Sequence, residues 1–217
     1  MAIYLGLPIL FGATIFSVIV AILIAILTLN YNKRLDAIIG IMWSFGMAIG
    51  IVFVDLTPGY NVDLMSYLFG SIISVTSLDI YYIFILDIVV IFSIILFYRQ
   101  FLAISYDIQF AKLKGVNIKF FYILLLVLVS LTIVATIKVV GLILVIALLT
   151  IPTYIAELFS NSLYKMMIIS CILSILFGIS GIFISYFYDI SSGASIILIS
   201  ILCLIIVSLY KKLFYTK

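Results

Sequence analysis

The chain has 217 residues, of which 68% are hydrophobic and only 9% are charged, and its net charge is +3. Soluble domains are about 45–50% apolar and about 25% charged, so this composition excludes a soluble globular protein. Histidine is absent, which removes the commonest metal ligand and the commonest general base at neutral pH. We therefore expect a membrane protein whose apolar side chains face lipid.

Long apolar runs recur along the chain, and about 20 such residues are enough to cross the hydrocarbon of a bilayer. Seven runs are of this length, and one further stretch, Asn61–Ser77, is shorter and more polar, which is typical of a re-entrant or interfacial helix. The predicted fold class is an all-α, polytopic helical bundle that forms one transmembrane domain over residues 1–217. Seven runs are predicted to span the membrane: Ile3–Leu29, Ala37–Val54, Ile80–Tyr98, Phe120–Ile137, Val139–Ala156, Met166–Phe187 and Ala194–Tyr210.

The basic residues predict the orientation of these spans. If the loop Asn30–Asp36 lies in the cytoplasm, alternation of the spans leaves only Lys138 of the 11 basic residues outside. Such an excess of lysine and arginine on one side is typical of cytoplasmic loops. We expect the N-terminus outside and the C-terminus in the cytoplasm.

Two irregular points lie in the second half of the chain. The fourth and fifth spans are separated only by KVVG, residues 138–141, so the turn between them is very tight. Pro152 lies one turn before the end of the fifth span, where proline kinks or ends a helix. Irregular backbone at membrane depth is tolerated where protein or a water-filled cavity covers it, so a transport pathway and ordinary packing both remain open.

Asp87 is the only acid deep inside a predicted span. An intramembrane carboxylate is a functional candidate by default, and the structural alternative is a protonated acid bonded to a neighbouring hydroxyl. Two pairs of glycines lie on neighbouring helical turns, where small residues let membrane helices approach closely. Ordinary helix packing is the preferred interpretation of both pairs: Gly46 with Gly50, and Gly178 with Gly181.

One polar stretch, DIQFAKLKG at residues 107–115, interrupts the apolar chain on the predicted cytoplasmic side. Asp107, Ala111 and Gly115 are four apart, so in a helix they share one face. The acid near its start and the lysines toward its end suit the helix dipole, and Gly115 is typical of a helix stop. Two interpretations remain open: a connector on the membrane surface, or a docking helix for a cytosolic partner.

Four stretches carry a resemblance to a known family. VDLMSYLFGSIISVTSLD (62–79), DIQFAKLKGV (107–116), KVVGLILVIALLTIPTYIAE (138–157) and YFYDISSGASIIL (186–198) follow one another in the family's order, and LDAIIGIMWSFGMAIGIV (35–52) is a weaker fifth match. Together they cover nearly the whole chain. The sequence resembles the membrane permease subunits of zinc-, manganese- and iron-type ABC importers, with a fold like that of type II ABC importers.

The resemblance implies that this chain forms the translocation pathway for a divalent transition metal and is not itself an enzyme. It implies no cofactor on this chain: the metal is cargo, and ATP is bound by a separate subunit. The implied ATPase-coupling residues are Asp107, Ala111 and Gly115, with Pro152, Ala156 and Glu157 in a neighbouring turn. The candidate pathway residues are Asp63, Tyr67, Gly70, Gly141 and Asp87.

The same resemblance implies the partners and the location. The expected partners are a cytosolic ABC ATPase dimer, an extracytoplasmic metal-binding protein, a second permease subunit that is the same or different, and the lipid bilayer. No nucleic-acid partner is expected. The expected location is the plasma membrane of a prokaryote.

Family members run longer, and the resemblance predicts that this chain begins after their first one or two spans. The part before it would include a Ser-His-Ala-x-x-x-Gly-like segment. Either the true start lies upstream or the subunit is shortened. Two alternatives to a transporting importer subunit remain: a self-contained secondary transporter or channel that uses Asp87, and a non-transporting shortened paralogue.

Overall fold

A computed structural model describes residues 9–30, 35–56 and 75–215 of the chain. Most of these residues are helical, as expected from the apolar runs, and short connectors join the helices. We number the helices in chain order: α1 Ile9–Asn30, α2 Leu35–Asp55, α3 Ser77–Tyr106, α4 Ile108–Leu113, α5 Ile118–Val140, α6 Leu142–Phe159, α7 Leu163–Tyr188 and α8 Ser192–Tyr215.

Each of the seven predicted spans overlaps one helix in the described residues, which confirms the predicted fold class. In the part of the chain that the structure describes, six helices are long and apolar enough to cross a membrane. The second predicted span differs, because the apolar part of α2 is the shorter segment Ile39–Phe53. The predicted re-entrant segment Asn61–Ser77 falls almost wholly outside the described residues.

The helix α3 is longer than the apolar run that predicts it. It begins at Ser77 because Thr76 and Asp79 cap each other. The Thr76 backbone N–H and hydroxyl donate to Asp79 Oδ2 at 3.1 and 2.7 Å, and the Asp79 N–H donates to Thr76 Oγ1 at 3.4 Å. This reciprocal capping box satisfies N–H groups that a helix start leaves unpaired. Near its other end the backbone of Phe97 leaves helical geometry, so α3 is kinked there.

The chain forms two compact units. The first contains α1 to α4 and α5 as far as Ala135, and the second contains the end of α5 with α6, α7 and α8. In the second unit the three helices pack around a buried apolar cluster formed by Leu144, Ile155, Phe177 and Ile196.

The helices α7 and α8 approach each other closely at Gly181. A Cβ atom on this residue would lie 2.7 Å from the Cα atom of Ile196 on α8, so the glycine allows the two backbones to meet. A Cβ atom on Gly46, Gly50 or Gly178 would meet nothing within 4 Å. The expected helix packing is therefore found at Gly181 but not at the other three glycines.

Candidate functional site

The short helix α4 begins at Asp107, which acts as its N-cap. The Asp107 carboxylate accepts hydrogen bonds from the backbone N–H groups of Gln109 at 2.7 Å and Phe110 at 3.1 Å. The extended backbone of Asp107 also ends α3, so one residue separates the two helices. The Asp107 carboxylate is thus hydrogen-bonded to the backbone of the helix that it caps.

Gly115, two residues after the last residue of α4, stops the helix as the sequence predicts. Gly115 has φ +73°, a left-handed conformation that L residues with a side chain rarely adopt. Its N–H donates to the Lys112 carbonyl, and the N–H of Val116 donates to the Ala111 carbonyl, both at 3.1 Å. These two bonds form a Schellman motif, which closes the helix and satisfies its last carbonyls.

Ala111 lies in the middle of α4 and is completely buried, with 0% of its surface exposed. The sequence interpretation of one helical face is therefore wrong, because Asp107 and Gly115 flank a helix of six residues and are not on it. The three residues instead have separate structural roles. Asp107 is the N-cap, Ala111 is the small residue by which α4 packs against the protein, and Gly115 stops the helix. None of the three presents a free side chain to a partner.

Every residue of α4 except Ala111 is exposed, and three of the five exposed side chains are apolar. Leu113 is 87% exposed, Phe110 52% and Ile108 44%. Lys112 and Lys114 flank them, and the Lys114 Nζ lies 5.5 Å from the centre of the Phe110 ring, a cation–π distance. Sequence reasoning missed these apolar residues, because they are ordinary members of a hydrophobic chain. We call Ile108, Phe110 and Leu113 the α4 apolar face.

A cluster of phenylalanines supports the ends of the helices on either side of α4. On the kinked end of α3, the rings of Phe97 and Phe101 both lie edge-on to Phe121, at centroid distances of 5.3 and 6.3 Å. Phe121 lies in the first turn of α5. Edge-to-face aromatic pairs add about 0.5–1.5 kcal/mol each beyond their burial. The end of α3 and the start of α5, which flank α4, are therefore in contact through these rings.

Replacing Gly115 by proline is expected to disrupt the end of α4. Proline has φ near −65° and no N–H, so it can adopt neither the left-handed conformation nor the bond to Lys112. Gly115→Ala retains the N–H and should cost only about 1 kcal/mol. Limited proteolysis of membranes should therefore cleave near residue 115 much faster in Gly115→Pro than in Gly115→Ala. Equal cleavage of both variants would contradict the role of this turn.

The residues predicted beside the coupling helix lie in the last part of α6. Pro152 and Ala156 are buried, and the helix continues through Pro152 to Phe159. The stretch Pro152–Phe159, expected to form a turn, is therefore helical. Nearby hydroxyls bond to carbonyls of this helix: Thr150 donates to Ile146 at 2.8 Å, and Thr153 donates to Thr150 at 2.9 Å. These bonds pair both hydroxyls within the helix itself.

Glu157 lines an open groove of about 490 Å³ in the second unit. The groove is mostly apolar, with the hydroxyls of Thr150, Thr153 and Tyr154 on its lining. It is formed by residues of α6, α7 and α8: Leu149, Thr150, Ile151, Thr153, Tyr154, Glu157, Met166 and Leu204. Its position makes Glu157 accessible, unlike Pro152 and Ala156.

Gly141 is the single residue between α5 and α6, which confirms the tight turn. Its φ of 85° and ψ of 156° lie in a region that is essentially restricted to glycine. Its N–H donates to the Ile137 carbonyl at 2.9 Å, and its own carbonyl accepts from Val145 at 3.1 Å. This geometry gives Gly141 a structural role at the turn; its predicted place in a pathway stays a prediction.

Of the remaining candidate pathway residues, the structure describes Asp87 alone, so their common place in a pathway stays a prediction. Asp63, Tyr67 and Gly70 lie outside the described residues. Asp87 lies on α3 with its side chain exposed. Among the described residues, no group of three or more histidine, cysteine, aspartate or glutamate side chains is arranged to hold a metal ion.

Comparison with known proteins identifies the family. Residues 1–211 match the model of the family described as ABC 3 transport family. The chain belongs to this family. The resemblance found in the sequence is confirmed, because the match includes all five stretches that carried it.

Individual relatives agree with the family match. An uncharacterized membrane protein, slr2045 of Synechocystis, is 38% identical over 94% of this chain and 72% of its own length. A probable metal transport system membrane protein of Chlamydia pneumoniae is 38% identical over 88% of this chain and 65% of its own length. The manganese transport system membrane protein MntC of Halalkalibacterium halodurans is 35% identical over 90% of this chain and 67% of its own length. The chain thus spans about two thirds of the length of these relatives.

A solved structure shares the fold. PsaBC from Streptococcus pneumoniae, in complex with Fab, superposes with a TM-score of 0.81 and 32% sequence identity. The match covers 95% of this chain and 74% of that chain. The protein is therefore a multi-pass membrane protein of the ABC 3 transport family, with the helical fold seen in that structure.

Proposed function

We propose that this chain is the membrane-spanning permease subunit of an ABC importer for divalent transition metal ions. The observation that carries the proposal is α4, a short helix with both ends capped and an exposed apolar face, in a chain of the ABC 3 transport family. Manganese is the favoured cargo, because MntC and similar relatives are named for it. Zinc and iron are the other two candidates.

Coupling to a separate ATPase is proposed to occur through the α4 apolar face. The structure supports this assignment by exclusion: Asp107 and Gly115 are used to cap α4, and Ala111 is buried. Of the exposed side chains that remain, Ile108, Phe110 and Leu113 are the apolar ones, and they lie among the polar side chains of Gln109, Lys112 and Lys114. Because both ends of α4 are capped, little conformational entropy is lost when a partner binds.

The proposed orientation follows from the basic residues. Lys112 and Lys114 beside the apolar face belong to the side that carries ten of the 11 lysine and arginine residues of the chain. That side is the cytoplasm in our proposal, where an ATPase would meet α4. The extracytoplasmic metal-binding protein and the second permease subunit complete the proposed assembly in a prokaryotic plasma membrane.

The decisive experiment measures metal uptake and its energy source. The protein is tagged in its own host, and uptake of radioactive manganese, zinc and iron is compared in cells with and without it. We expect manganese uptake to depend on the protein and on ATP, and the purified complex to hydrolyse ATP. Uptake that persists in ATP-depleted cells and follows the proton gradient would overturn the proposal.

A self-contained secondary transporter would need Asp87 beside a polar route through its own chain. Asp87 instead has an exposed side chain and apolar neighbours on α3. The uptake experiment also addresses the shortened paralogue, because such a protein would give no uptake as the sole permease of a strain.

A further inference from the structure

The groove lined by Glu157 covers most of the depth of one leaflet of the bilayer. On α6 its lining begins at Glu157, two residues before the helix ends, and reaches back to Leu149, about 12 Å deeper at 1.5 Å per residue. On α8 it includes Leu204, about 10 Å from Lys211 by the same rise. Half of the hydrocarbon thickness is about 15 Å. Glu157 therefore lies at the level of the lipid headgroups, and Leu149 lies among the acyl chains.

The polar atoms of the groove are mainly hydrogen-bond acceptors. The hydroxyls of Thr150 and Thr153 donate their protons to carbonyls of α6, so their oxygens can only accept further bonds. The Glu157 carboxylate also only accepts. The remaining wall is mostly apolar, and Tyr154 supplies the one lining hydroxyl that can still donate. An occupant of this groove therefore needs an apolar body and a polar end that donates.

Two unpaired charges lie at the headgroup end of the groove. Glu157 is in the last turn of α6, and Lys165 is in the first turn of α7, next to the lining residue Met166. Both side chains are exposed, and neither forms a hydrogen bond or an ion pair with another residue that the structure describes. This end of the groove thus offers one anion and one cation to a ligand.

We propose that the groove binds a zwitterionic aminophospholipid of the phosphatidylethanolamine type. One acyl chain lies along the apolar wall, the ammonium group donates to Glu157, and the phosphate pairs with Lys165. The volume of about 490 Å³ lies within the range of ligand pockets, about 300–1,000 Å³. A choline headgroup has no N–H to donate, and a lipid with net negative charge is repelled by Glu157.

The cargo metal fits the groove less well. A hard divalent cation takes six or more oxygen ligands and gives up its water reluctantly, whereas this groove supplies one carboxylate and mostly apolar walls. The proposal requires neither metal transport nor ATP hydrolysis. It can therefore be tested on purified protein, and its failure would leave the proposed function untouched.

Retention of lipids by the purified protein tests the proposal. The tagged protein is purified from its own host with its subunits and incubated in detergent with equal amounts of phosphatidylethanolamine, phosphatidylcholine and phosphatidylglycerol that carry the same acyl chains. Native mass spectrometry counts the bound lipids of each kind. We expect phosphatidylethanolamine to exceed phosphatidylcholine about two- to fivefold, the range for one exposed charged contact.

Charge variants separate the two proposed headgroup contacts. Glu157→Gln keeps the size of the side chain but removes its charge, so it should abolish the preference for phosphatidylethanolamine. Lys165→Gln should lower both of these lipids by the same factor, because both carry the phosphate. Asp189→Asn is the matched control, since it removes the other acid of the second unit, just past the far end of α7, and should change neither quantity.

Two further variants give results that misfolding cannot imitate. Glu157→Lys should reverse the selectivity in favour of phosphatidylglycerol, and an unfolded protein does not gain a preference. Leu149→Trp fills the deep end of the groove and should lower all three lipids without changing their ratio. Equal retention of phosphatidylethanolamine and phosphatidylcholine by the parent protein, or a preference that survives in Glu157→Gln, would overturn the proposal.

Discussion

Leu113→Asp is expected to abolish ATP-driven metal uptake while leaving the protein in the membrane. Leu113 is the most exposed side chain of the α4 apolar face, at 87%, and it makes no contribution to either helix cap. In the proposed complex the substitution would bury a carboxylate against the ATPase, which is strongly unfavourable without a partner. We expect at least about tenfold less ATPase in the tagged complex, corresponding to a loss of about 1.4 kcal/mol. The amount of ATPase that copurifies with the tagged protein is measured as ATP hydrolysis in the eluate.

Asn117→Asp is the matched control for Leu113→Asp. It adds the same charge to the same connector at another exposed position. The Asn117 side chain accepts a hydrogen bond from the Phe120 N–H at 3.2 Å, and aspartate can accept the same bond. We expect normal ATPase recovery and uptake from this variant.

The Leu113→Asp result also decides between a protein and a lipid surface for α4. If α4 only lies on the membrane, Leu113→Asp would weaken that contact but leave ATPase recovery at the level of Asn117→Asp. That outcome would refute docking through the apolar face. Ala111→Arg is a poorer test, because Ala111 is buried and the variant would unseat α4 whatever its partner.

The ends of α4 could be predicted from sequence because helix caps are local. Asp107 bonds to residues two and three positions ahead, and the bonds around Gly115 reach back at most to Ala111. The same holds for Gly141, which is conformationally special within a single turn. The long apolar helices were predictable for a different reason, since bilayer thickness sets their length.

The side of α4 that meets a partner could not be predicted, because it depends on tertiary structure. A spacing of four suggested one face for Asp107, Ala111 and Gly115, whereas the fold uses two as caps and buries the third. Leu113 has no distinguishing feature in a chain that is 68% hydrophobic. The exposure of Leu113 can be recognised only from the structure, in which Ala111 is the residue that α4 buries.

The glycines show the same limit. Gly178 and Gly181 lie three residues apart on α7 and are alike as a sequence pattern. Only Gly181 faces Ile196. This depends on how α7 and α8 are aligned along each other, and neither helix's sequence alone determines that alignment. Small residues thus predict that a membrane helix can pack closely, but not which of them does so.

Gly181→Ala is expected to destabilise the second unit. The new Cβ atom would lie 2.7 Å from the Ile196 Cα atom, and backbone cannot rotate away as a side chain can. The helices α7 and α8 must therefore separate. Overpacking of this kind costs about 1–3 kcal/mol, against which the better helix propensity of alanine returns up to about 1 kcal/mol. Thermal unfolding in detergent should show a lower Tm, by about 2–4 °C for each kcal/mol lost.

Gly178→Ala is the matched control, because a Cβ atom there meets nothing within 4 Å. It gains the same helix propensity without the overlap, so its Tm should equal or exceed that of the parent. In the Gly181→Ala chain, Ile196→Ala should not restore stability, since it leaves the overlaps at Cα and Cβ and removes a buried side chain from the core. Ile196 also packs in the cluster with Leu144 and Ile155 of α6, so the loosening should reach the helix that carries Glu157. Equal melting of the two glycine variants would show that α7 and α8 are not in close contact at Gly181.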